Sequence, residues 1–371
     1  MNSLPTPKKP IFLAYSFIAI CFLFYLSYTV FQNSNYEDIP IIQSNFDVGL
    51  YNDEIVDFLE PKTLVIKNIN EDESILKSEN IKKLFFIETH MEEVRIFDNP
   101  RIACTVESAA SINPDVRIYL ILLTNSTRVV LKYSELARVI LSFDNIHIRF
   151  LNIYDFSKGT DLEGLIANNT ILRSKFPIEH MADVMRAMVL SKYSGTYLDL
   201  DVLSLVPLDK IEYESFACPE SINRITNAVI RITDRVKKVF ELYLKKLNVS
   251  YDPIQYSDNG PKLFSESIKA FCNGTDLKTN EYTKCDEFTI LPTGKCYPIN
   301  YGGYKTFYEK DTLNYVFKRI NDSQSYFVHI WSKMNDHQGQ HYNLTFNSSV
   351  AYIDLAKKLC PHVLKTTEKY F

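Results

Sequence analysis

Two short apolar runs flank a segment rich in small residues in the first third of the chain. Residues 81–89 and 116–123 are dense in apolar residues and bounded by charged ones, which is typical of buried strands. Residues 100–112 open on a proline and carry small residues on one face, which predicts a helix between these strands. A strand, a helix and a strand in this order begin a parallel α/β sheet.

A much longer uncharged segment precedes them, at residues 11–31. As a helix it would rise about 30 Å, which is the thickness of a bilayer core. Lys8 and Lys9 precede it, and Glu37 and Asp38 follow it, so the N-terminus is expected in the cytosol. A cleaved signal peptide is the alternative, but such peptides have shorter apolar regions. We expect a single-pass type II signal-anchor with a cytosolic tail at residues 1–10.

The charge of the chain is distributed unevenly. Forty-one basic and 45 acidic residues give a net charge of −4, which offers no basic face for nucleic acid. Residues 32–80 hold eleven acidic residues and three lysines, with weak apolar periodicity. This composition predicts an acidic, extended stem. Residues 81–371 then form one lumenal folded domain with a slight positive charge.

Cysteines and glycosylation sequons fit an oxidising lumen. One of the seven cysteines, Cys21, lies in the uncharged segment, and no two cysteines have C-x-x-C spacing, which argues against a zinc ribbon. We expect disulfides among the other six, with Cys272 and Cys285 as the first candidate pair. The N-x-[ST] sequons are at Asn125, Asn168, Asn248, Asn273, Asn321, Asn343 and Asn347.

The segment 179–206 carries the candidate chemistry. Apolar residues recur with helical spacing over its first half, which predicts an amphipathic helix whose methionines pack in the core. Gly195 suits the C-cap of this helix. Residues 196–206 read as a strand interrupted by Asp199 and Asp201, whose side chains would project to the same side.

Two interpretations of this aspartate pair are open. Buried like charges need a counter-charge, and hard carboxylate oxygens suit Mg²⁺ or Mn²⁺ together with a nucleotide diphosphate. Solvated carboxylates at a strand end are the alternative. Asp183 and Arg186, three residues apart on the helix, likewise predict either a surface ion pair or a site that contacts sugar hydroxyls and phosphate.

Taken with other segments, this block resembles the lumenal α1,4-glycosyltransferases. The resemblance covers residues 84–371 and depends on the pattern D-x-x-R…G-x-Y-x-D-x-D, matched by Asp183, Arg186, Gly195, Tyr197, Asp199 and Asp201. Further matching segments are LFFIET, CTVESAASINPDVRIYLIL, NGPKLF, CYPINY, VHIWSK and CPHVLKTTEKYF.

The resemblance implies a GT-A-like α/β fold, with a mixed, mainly parallel sheet flanked by helices. It implies a retaining Golgi enzyme that uses Mn²⁺ and moves galactose or an N-acetylhexosamine from a UDP-sugar to a glycosphingolipid such as lactosylceramide. N-acetylhexosamine transfer to glycoprotein or arthropod-type glycolipid glycans is the alternative. The implied metal ligands are Asp199, Asp201 and His329. The implied substrate-binding residues are Glu88, Thr89, Asp183, Arg186, Tyr197, Asn227 and Gly260.

Two departures from the family pattern concern the donor sugar. Ser194-Gly195 replaces Gly-Gly, and Asn227-Ala228 replaces Asn-Gly, which adds a methyl group where the donor sugar is expected. No residue is assigned as a nucleophile, since front-face attack needs none. A type II lectin-like protein is the non-enzymatic alternative, and the absence of H-E-x-x-H and G-x-S-x-G motifs argues against a hydrolase.

Overall fold

A computed structural model describes residues 63–91, 98–337, 344–367 and 371 of the chain. The strands in these ranges are β1 Thr63–Asn68, β2 Lys83–Glu88, β3 Arg117–Thr124, β4 Val129–Lys132, β5 Ile146–Asn152, β6 Gly195–Leu198, β7 Val202–Ser204, β8 Phe216–Ser221, β9 Arg224–Ile232, β10 Thr283–Cys285, β11 Phe288–Ile290 and β12 Phe327–His329. The α-helices are α1 Glu73–Leu76, α2 Pro100–Ile112, α3 Glu135–Leu141, α4 Ile153–Ser157, α5 Glu163–Ala167, α6 Pro177–Tyr193, α7 Lys238–Ser250, α8 Leu263–Phe271, α9 Leu313–Ser323, α10 Ser332–His337, α11 Ala351–Leu359 and α12 Pro361–Thr366.

Ten of the described strands form one mixed sheet, in the order β10-β11-β8-β9-β6-β2-β3-β5-β1-β4. The adjacent strands β6, β2, β3, β5 and β1 run parallel, while β9 is antiparallel to β6 and β4 is antiparallel to β1. β7 and β12 form a separate antiparallel ladder. The expected mixed α/β sheet flanked by helices is therefore confirmed.

The first predicted strand, helix and strand are β2, α2 and β3. Every residue of β2 is buried, and so are all but the first of β3, as expected for central parallel strands covered on both faces. Asn99 caps α2 by accepting hydrogen bonds from the backbone N–H groups of Arg101 and Ile102, and Pro100 occupies the first helical position. The predicted strand, helix and strand are therefore confirmed, and they lie at the centre of the sheet.

The expected stem boundary at residue 80 is wrong, because β1 belongs to the sheet. β1 pairs with β4 and β5, and its residues Leu64 and Ile66 are buried on one face. The acidic residues that suggested a solvated stem are partly used inside the fold. Asp72, for example, accepts a hydrogen bond of 3.0 Å from Arg149 Nε in a buried ion pair. The folded domain begins no later than Thr63.

The expected membrane span at residues 11–31 lies outside the described residues. So do Cys21 and the remaining part of the expected stem. Within the described ranges, none of the helices combines the length and the apolar character needed to cross a bilayer.

Six cysteines lie in three pairs at disulfide-bonding distance. The pairs are Cys104–Cys360, Cys218–Cys296 and Cys272–Cys285, with Cα–Cα distances of 5.0, 6.2 and 5.3 Å. The last pair is the one expected from the sequence. The first joins α2 to the C-terminal helices across 256 residues of sequence.

A buried carboxylate reinforces this C-terminal junction. Glu107 on α2 is fully buried, and its two oxygens accept hydrogen bonds from the backbone N–H groups of His362 (3.0 Å) and Val363 (2.7 Å) at the start of α12. Its Oε1 also lies 2.7 Å from the His362 Nδ1. Glu107 thus caps α12 with negative charge, where helix N–H groups need acceptors.

We expect this junction to make stability depend on pH. The hydrogen bond to Glu107 raises the pKa of His362 above its ordinary value, while burial and Lys365 oppose the shift. A raised folded-state pKa contributes stability that is complete below the unfolded pKa of about 6.5 and is lost at higher pH. The melting temperature of the wild type should therefore fall relative to that of His362→Gln between pH 6 and 8. Equal pH dependence in both proteins would contradict this role.

Candidate active site

The two aspartates of the D-x-D motif lie in a turn between two sheets. β6 ends at Leu198, and β7 begins at Val202 in the other ladder, so the expected continuous strand 196–206 is wrong. The turn is held by hydrogen bonds from Asp199 N to Ala228 O (2.9 Å) and from Val202 N to Asp199 O (3.1 Å). The turn therefore brings the two carboxylates together, and not the alternation of side chains between the two faces of a strand.

The approach to β6 depends on an unusual backbone. Ser194, not Gly195, is the C-cap of α6, and its φ of +54° lies in the region that favours glycine. Its hydroxyl donates to Asp234 Oδ1 at 2.7 Å. Gly195 is the first residue of β6, with φ +120°, and a Cβ there would lie 2.9 Å from the Lys83 carbonyl oxygen. Glycine therefore allows β6 to pack against β2.

His329 lies beside the turn because β12 pairs with β7. The register places His329 opposite Val202, the residue after Asp201. The His329 Nε2 is 3.0 Å from Asp201 Oδ1, and Asp201 Oδ2 accepts a hydrogen bond of 2.9 Å from Ser332 N. The backbone is fixed as well, since Ile330 N donates to the Asp201 carbonyl at 2.9 Å. Segment 329–332 therefore surrounds Asp201.

These residues form a set that fits a divalent cation. Ligand atoms of Asp199, Asp201 and His329 all lie within 4.8 Å of one another. Two carboxylates and an imidazole suit Mn²⁺ in charge and ligand type. The other imidazole nitrogen of His329, Nδ1, is buried and has no hydrogen-bond partner among the described residues. A cation would also supply positive charge to a site that contains more carboxylates than cations.

Asp201 and His329 influence each other's ionisation. Burial disfavours the charged form of each, but their mutual attraction outweighs it. The pKa of Asp201 is consequently lowered, and the pKa of His329 is raised. Asp201 is therefore held as a carboxylate, which is the form that binds a metal.

Arg186 connects helix α6 to the D-x-D turn. Its Nη1 lies 2.8 Å from Asp199 Oδ1 and donates to the Asn227 carbonyl at 2.7 Å. Its guanidinium also lies over the ring of Tyr197, 4.7 Å from the centroid, and the Tyr197 hydroxyl donates to the same Asp199 oxygen at 2.6 Å. The Asp199 carboxylate is thus oriented by two donors, the Arg186 guanidinium and the Tyr197 hydroxyl.

Asp183 and Arg186 do not form a surface ion pair. Both side chains are buried, because α6 is covered on the side that the sequence pattern suggested was polar. Asp183 Oδ1 is 3.7 Å from Arg186 Nη2 and accepts a hydrogen bond of 2.8 Å from Asn227 Nδ2. Burial raises the pKa of Asp183 to about 6, against the opposing effects of Arg186 and Asn227. This carboxyl therefore titrates near neutral pH.

Gly260 makes room for Asp183. It lies in a single π-helical turn, residues Asp258–Lys262, and an added Cβ would overlap the Asp183 carboxylate. The backbone of this turn is held by the Tyr243 hydroxyl, which donates to the Asn259 carbonyl at 2.8 Å. The family resemblance implies a substrate contact at Gly260, and in the structure the backbone of this glycine lies close to the Asp183 carboxylate.

We expect Gly260→Ala to displace Asp183 and to reduce activity strongly. Overpacking of a buried site costs roughly 1–3 kcal/mol of unfolding free energy, and the displaced carboxylate would disturb the bond to Asn227. Thermal unfolding measures the first effect, and the turnover rate measures the second. Gly164→Ala is the matched control, because its added Cβ would meet no atom within 4 Å. A Gly260→Ala variant as stable and active as the control would contradict the packing argument.

Glu88 and Thr89 lie at the carboxyl end of β2, beside the end of β6. The register pairs Phe85 with Tyr197, so Glu88 and Asp199 emerge at the same sheet edge. Glu88 is buried, and its Oε1 accepts a hydrogen bond from His90 N at 3.1 Å and lies 2.7 Å from His90 Nδ1. Its Oε2 has no partner among the described residues. Glu88 therefore has a buried oxygen that the described residues leave without a hydrogen-bond donor.

Trp331 is a site residue that sequence reasoning missed. Its φ is +58°, an uncommon conformation for a bulky residue, and it directs Ser332 N back to Asp201. The indole N–H donates to the Ile299 carbonyl at 2.9 Å, and the ring lies edge-on to His329 with centroids 3.9 Å apart. Its position two residues after His329 is the one sequence feature that points to Trp331. Nothing in the sequence predicts its backbone conformation.

Two family models match the segments of the chain that form this site. The model of the glycosyltransferase sugar-binding region containing the DXD motif matches residues 99–217, which include both aspartates of the turn. The model of the α1,4-glycosyltransferase conserved region matches residues 232–367, which include His329. Together they account for about two thirds of the chain. The chain is thus similar to the α1,4-glycosyltransferases in its C-terminal part and to DXD-containing glycosyltransferases in the part before it. It is a glycosyltransferase, and the lectin-like alternative is set aside.

Curated relatives of this glycosyltransferase are similar over most of their length. Mouse lactosylceramide 4-α-galactosyltransferase is 24% identical over 288 residues, which are 77% of this chain and 76% of that protein. Human α-1,4-N-acetylglucosaminyltransferase is 24% identical over 267 residues, which are 71% of this chain and 75% of that protein. Among solved structures, the PaToxG glycosyltransferase aligns with a TM-score of 0.37 and 16% identity, over 55% of this chain and 76% of that one.

Proposed function

We propose that the protein is a retaining, UDP-sugar-dependent α1,4-hexosyltransferase. It moves galactose or an N-acetylhexosamine to a glycosphingolipid such as lactosylceramide. The observation that carries the proposal is the convergence of Asp199, Asp201 and His329 in a chain similar to the α1,4-glycosyltransferases. The acceptor class is supported by the mouse relative, whose name specifies lactosylceramide. N-acetylhexosamine transfer to a glycoprotein or glycolipid glycan is the second candidate, supported by the human relative.

In this proposal Asp199, Asp201 and His329 would hold Mn²⁺. The bound cation would neutralise charge on the diphosphate that leaves as the sugar is transferred. Arg186 and Tyr197 are positioning residues, since both donate to Asp199 Oδ1 and keep it directed toward the metal site. Preorganised groups of this kind need no rearrangement when the reaction occurs, which is how active sites stabilise developing charge.

The donor is proposed to lie along the carboxyl edge of the sheet, where α/β proteins bind ligands. Glu88 and Thr89 on the β2 side would contact its nucleoside, because Glu88 offers an unsatisfied buried oxygen there. Asp183, Asn227 and Gly260 on the β9 side would face the sugar. Ala228, whose carbonyl accepts from Asp199 N, would place its methyl group near this position and limit the room for the sugar.

Retention follows from the chemistry of donor and product. UDP-hexoses of this kind are α-linked, so an α1,4-linked product keeps the anomeric configuration. Front-face attack, with the leaving diphosphate oxygen accepting the acceptor proton, accounts for retention without a protein nucleophile. The proposal accordingly assigns no catalytic nucleophile to the chain.

The proposed compartment is the Golgi lumen. Residues 1–10 would be the cytosolic tail, residues 11–31 the type II anchor, and the stem would end before the folded domain, which begins no later than Thr63. The three cysteine pairs are proposed to be disulfides, which persist in oxidising compartments. Six described sequons have exposed asparagines and could carry glycans, namely Asn125, Asn168, Asn248, Asn273, Asn321 and Asn347.

The test is a transfer assay with the full chain in detergent. UDP-galactose, UDP-N-acetylglucosamine and UDP-N-acetylgalactosamine are each supplied with Mn²⁺ and either lactosylceramide or N-acetyllactosamine. We expect one donor to be used, with transfer lost on chelation and restored by Mn²⁺. Transfer only to N-acetyllactosamine would favour the second candidate. Absence of both transfer and donor hydrolysis with every donor would refute the proposal.

A further inference from the structure

A half-exposed tyrosine lies next to the site and has no role in the function proposed above. Tyr256 is 46% exposed, and its ring packs edge-on against Phe176, with centroids 5.1 Å apart and an interplanar angle of 89°. The Lys333 ammonium lies 5.5 Å from the ring centroid and is paired with Glu179. Large aromatic side chains exposed beside a site commonly serve as contact surfaces for ligands.

The position of Tyr256 relative to the metal site follows from neighbouring contacts. Lys333, over the tyrosine ring, directly follows Ser332, whose N–H binds Asp201 Oδ2. Four residues beyond Tyr256 is Gly260, which packs against the Asp183 carboxylate. Tyr256 is therefore connected to the site on two sides. Consistently, burial raises the pKa of Tyr256 to about 12, together with Asp183, Asp199 and Asp201.

The loop that carries Tyr256 is rigidly held. Asp252 Oδ1 accepts hydrogen bonds from Ile254 N (2.7 Å) and Gln255 N (3.0 Å). The Gln255 carbonyl lies 3.0 Å from His180 Nε2, and the Pro253 carbonyl accepts from Lys175 N at 2.7 Å. These bonds hold the backbone that carries the ring, so the exposed ring surface can serve as a preorganised binding surface.

The sheet order indicates which substrate this surface meets. Glu88 on β2 and Asn227 on β9 lie on opposite sides of β6, the strand that leads into the D-x-D turn. Asn227 binds Asp183, and Asp183 contacts Gly260, so Tyr256 lies on the β9 side. The nucleoside is proposed on the β2 side. The sugar end of the donor, and the acceptor that attacks it, therefore face Tyr256.

We propose that Tyr256 is the stacking surface of an acceptor subsite that takes a hexose. The apolar C–H face of a pyranose packs against the ring, which leaves the sugar hydroxyls free for hydrogen bonds. This inference rests on the proposed function and adds a residue that determines acceptor binding. Stacking of the sugar requires the aromatic ring of Tyr256 and not its hydroxyl group. This requirement distinguishes stacking from a hydrogen bond to the hydroxyl.

The test measures acceptor and donor kinetics separately with the full chain and a soluble lactoside acceptor. We expect Tyr256→Ala to raise the acceptor KM by roughly fivefold to tenfold, the size of one aromatic contact. The donor KM and the rate of donor hydrolysis without acceptor should stay unchanged, and Tyr256→Phe should remain within about twofold of the wild type. Tyr282→Ala is the matched control, since Tyr282 is 45% exposed and packs on Tyr213 next to β10, an edge strand of the sheet.

Three results would overturn the proposal. An unchanged acceptor KM in Tyr256→Ala would exclude the contact, and a changed donor KM or hydrolysis rate would place the ring on the donor side. A loss in Tyr256→Phe equal to that in Tyr256→Ala would assign the contact to the hydroxyl. Melting temperatures of all variants identify any folding defect. Failure of the proposed function is distinct, because the wild type itself would then neither transfer nor hydrolyse a donor.

Discussion

Replacing Asp201 by asparagine should abolish sugar transfer while the domain stays folded. The substitution removes one negative charge from the set formed by Asp199, Asp201 and His329, and amide groups are poor ligands for Mn²⁺ beside carboxylates. An asparagine oxygen can still accept the hydrogen bond from Ser332 N, so the turn is expected to persist. We expect transfer to fall by roughly 10³-fold or more, the scale of losing a group that stabilises developing charge.

Metal binding and folding distinguish this explanation from a structural one. Calorimetric titration with Mn²⁺ should show weakened binding in Asp201→Asn, and the melting temperature should change little. Asp209→Asn is the control, because Asp209 is an exposed aspartate that pairs with its neighbour Lys210. If Asp201→Asn turned over as fast as the control, the proposed metal role would be refuted. Full activity with lost metal binding would show that the reaction does not depend on the metal.

The parts of the fold that were predictable are those with a strong local pattern. β2, α2 and β3 each carry a continuous apolar run or a clear helix start, and the structure places them as expected. β1 was missed because charged residues surround a short alternating pattern, and its burial depends on pairing with β5, more than 75 residues later. A local pattern cannot reveal a partner that distant.

The candidate site likewise has residues that a local sequence pattern predicts and residues that only tertiary contacts bring together. The D-x-D pair was found because two carboxylates interrupt an apolar segment, whereas His329 came from family resemblance, 128 residues beyond Asp201. The register of β7 with β12 brings them together. Amphipathic periodicity puts Arg186 on the polar side of its helix, which leaves both a surface ion pair and a substrate-binding site open. In the structure, β9 and the turn around Gly260 cover that face, and only tertiary packing supplies this information.

Arg186→Met should destabilise the domain and inactivate the enzyme together. The guanidinium is buried between Asp183 and Asp199, and its removal leaves two carboxylates without their counter-charge. Breaking a buried ion pair in this way costs roughly 3–5 kcal/mol of unfolding free energy. Burial lowers the pKa of Arg186, but Asp199 and the other neighbouring acidic groups outweigh it and raise the pKa, so the group is charged at every accessible pH.

The loss of unfolding free energy in Arg186→Met should grow with pH. This dependence distinguishes loss of the charge from loss of the packed side chain. Without Arg186, the pKa of Asp183, already raised to about 6, should rise further above its unfolded value of about 4. A group with a raised folded-state pKa stabilises the protein at low pH and loses that contribution as pH rises through that pKa.

Denaturant unfolding at pH 5 and 7.5 should therefore show a larger loss of unfolding free energy at pH 7.5, and adding Asp183→Asn should restore part of that loss. Arg235→Met, which breaks an exposed pair with Glu287, should leave stability nearly unchanged at either pH. A deficit in Arg186→Met that is independent of pH and unchanged by Asp183→Asn would mean that the arginine acts through volume, because an unpaired buried carboxylate must respond to both.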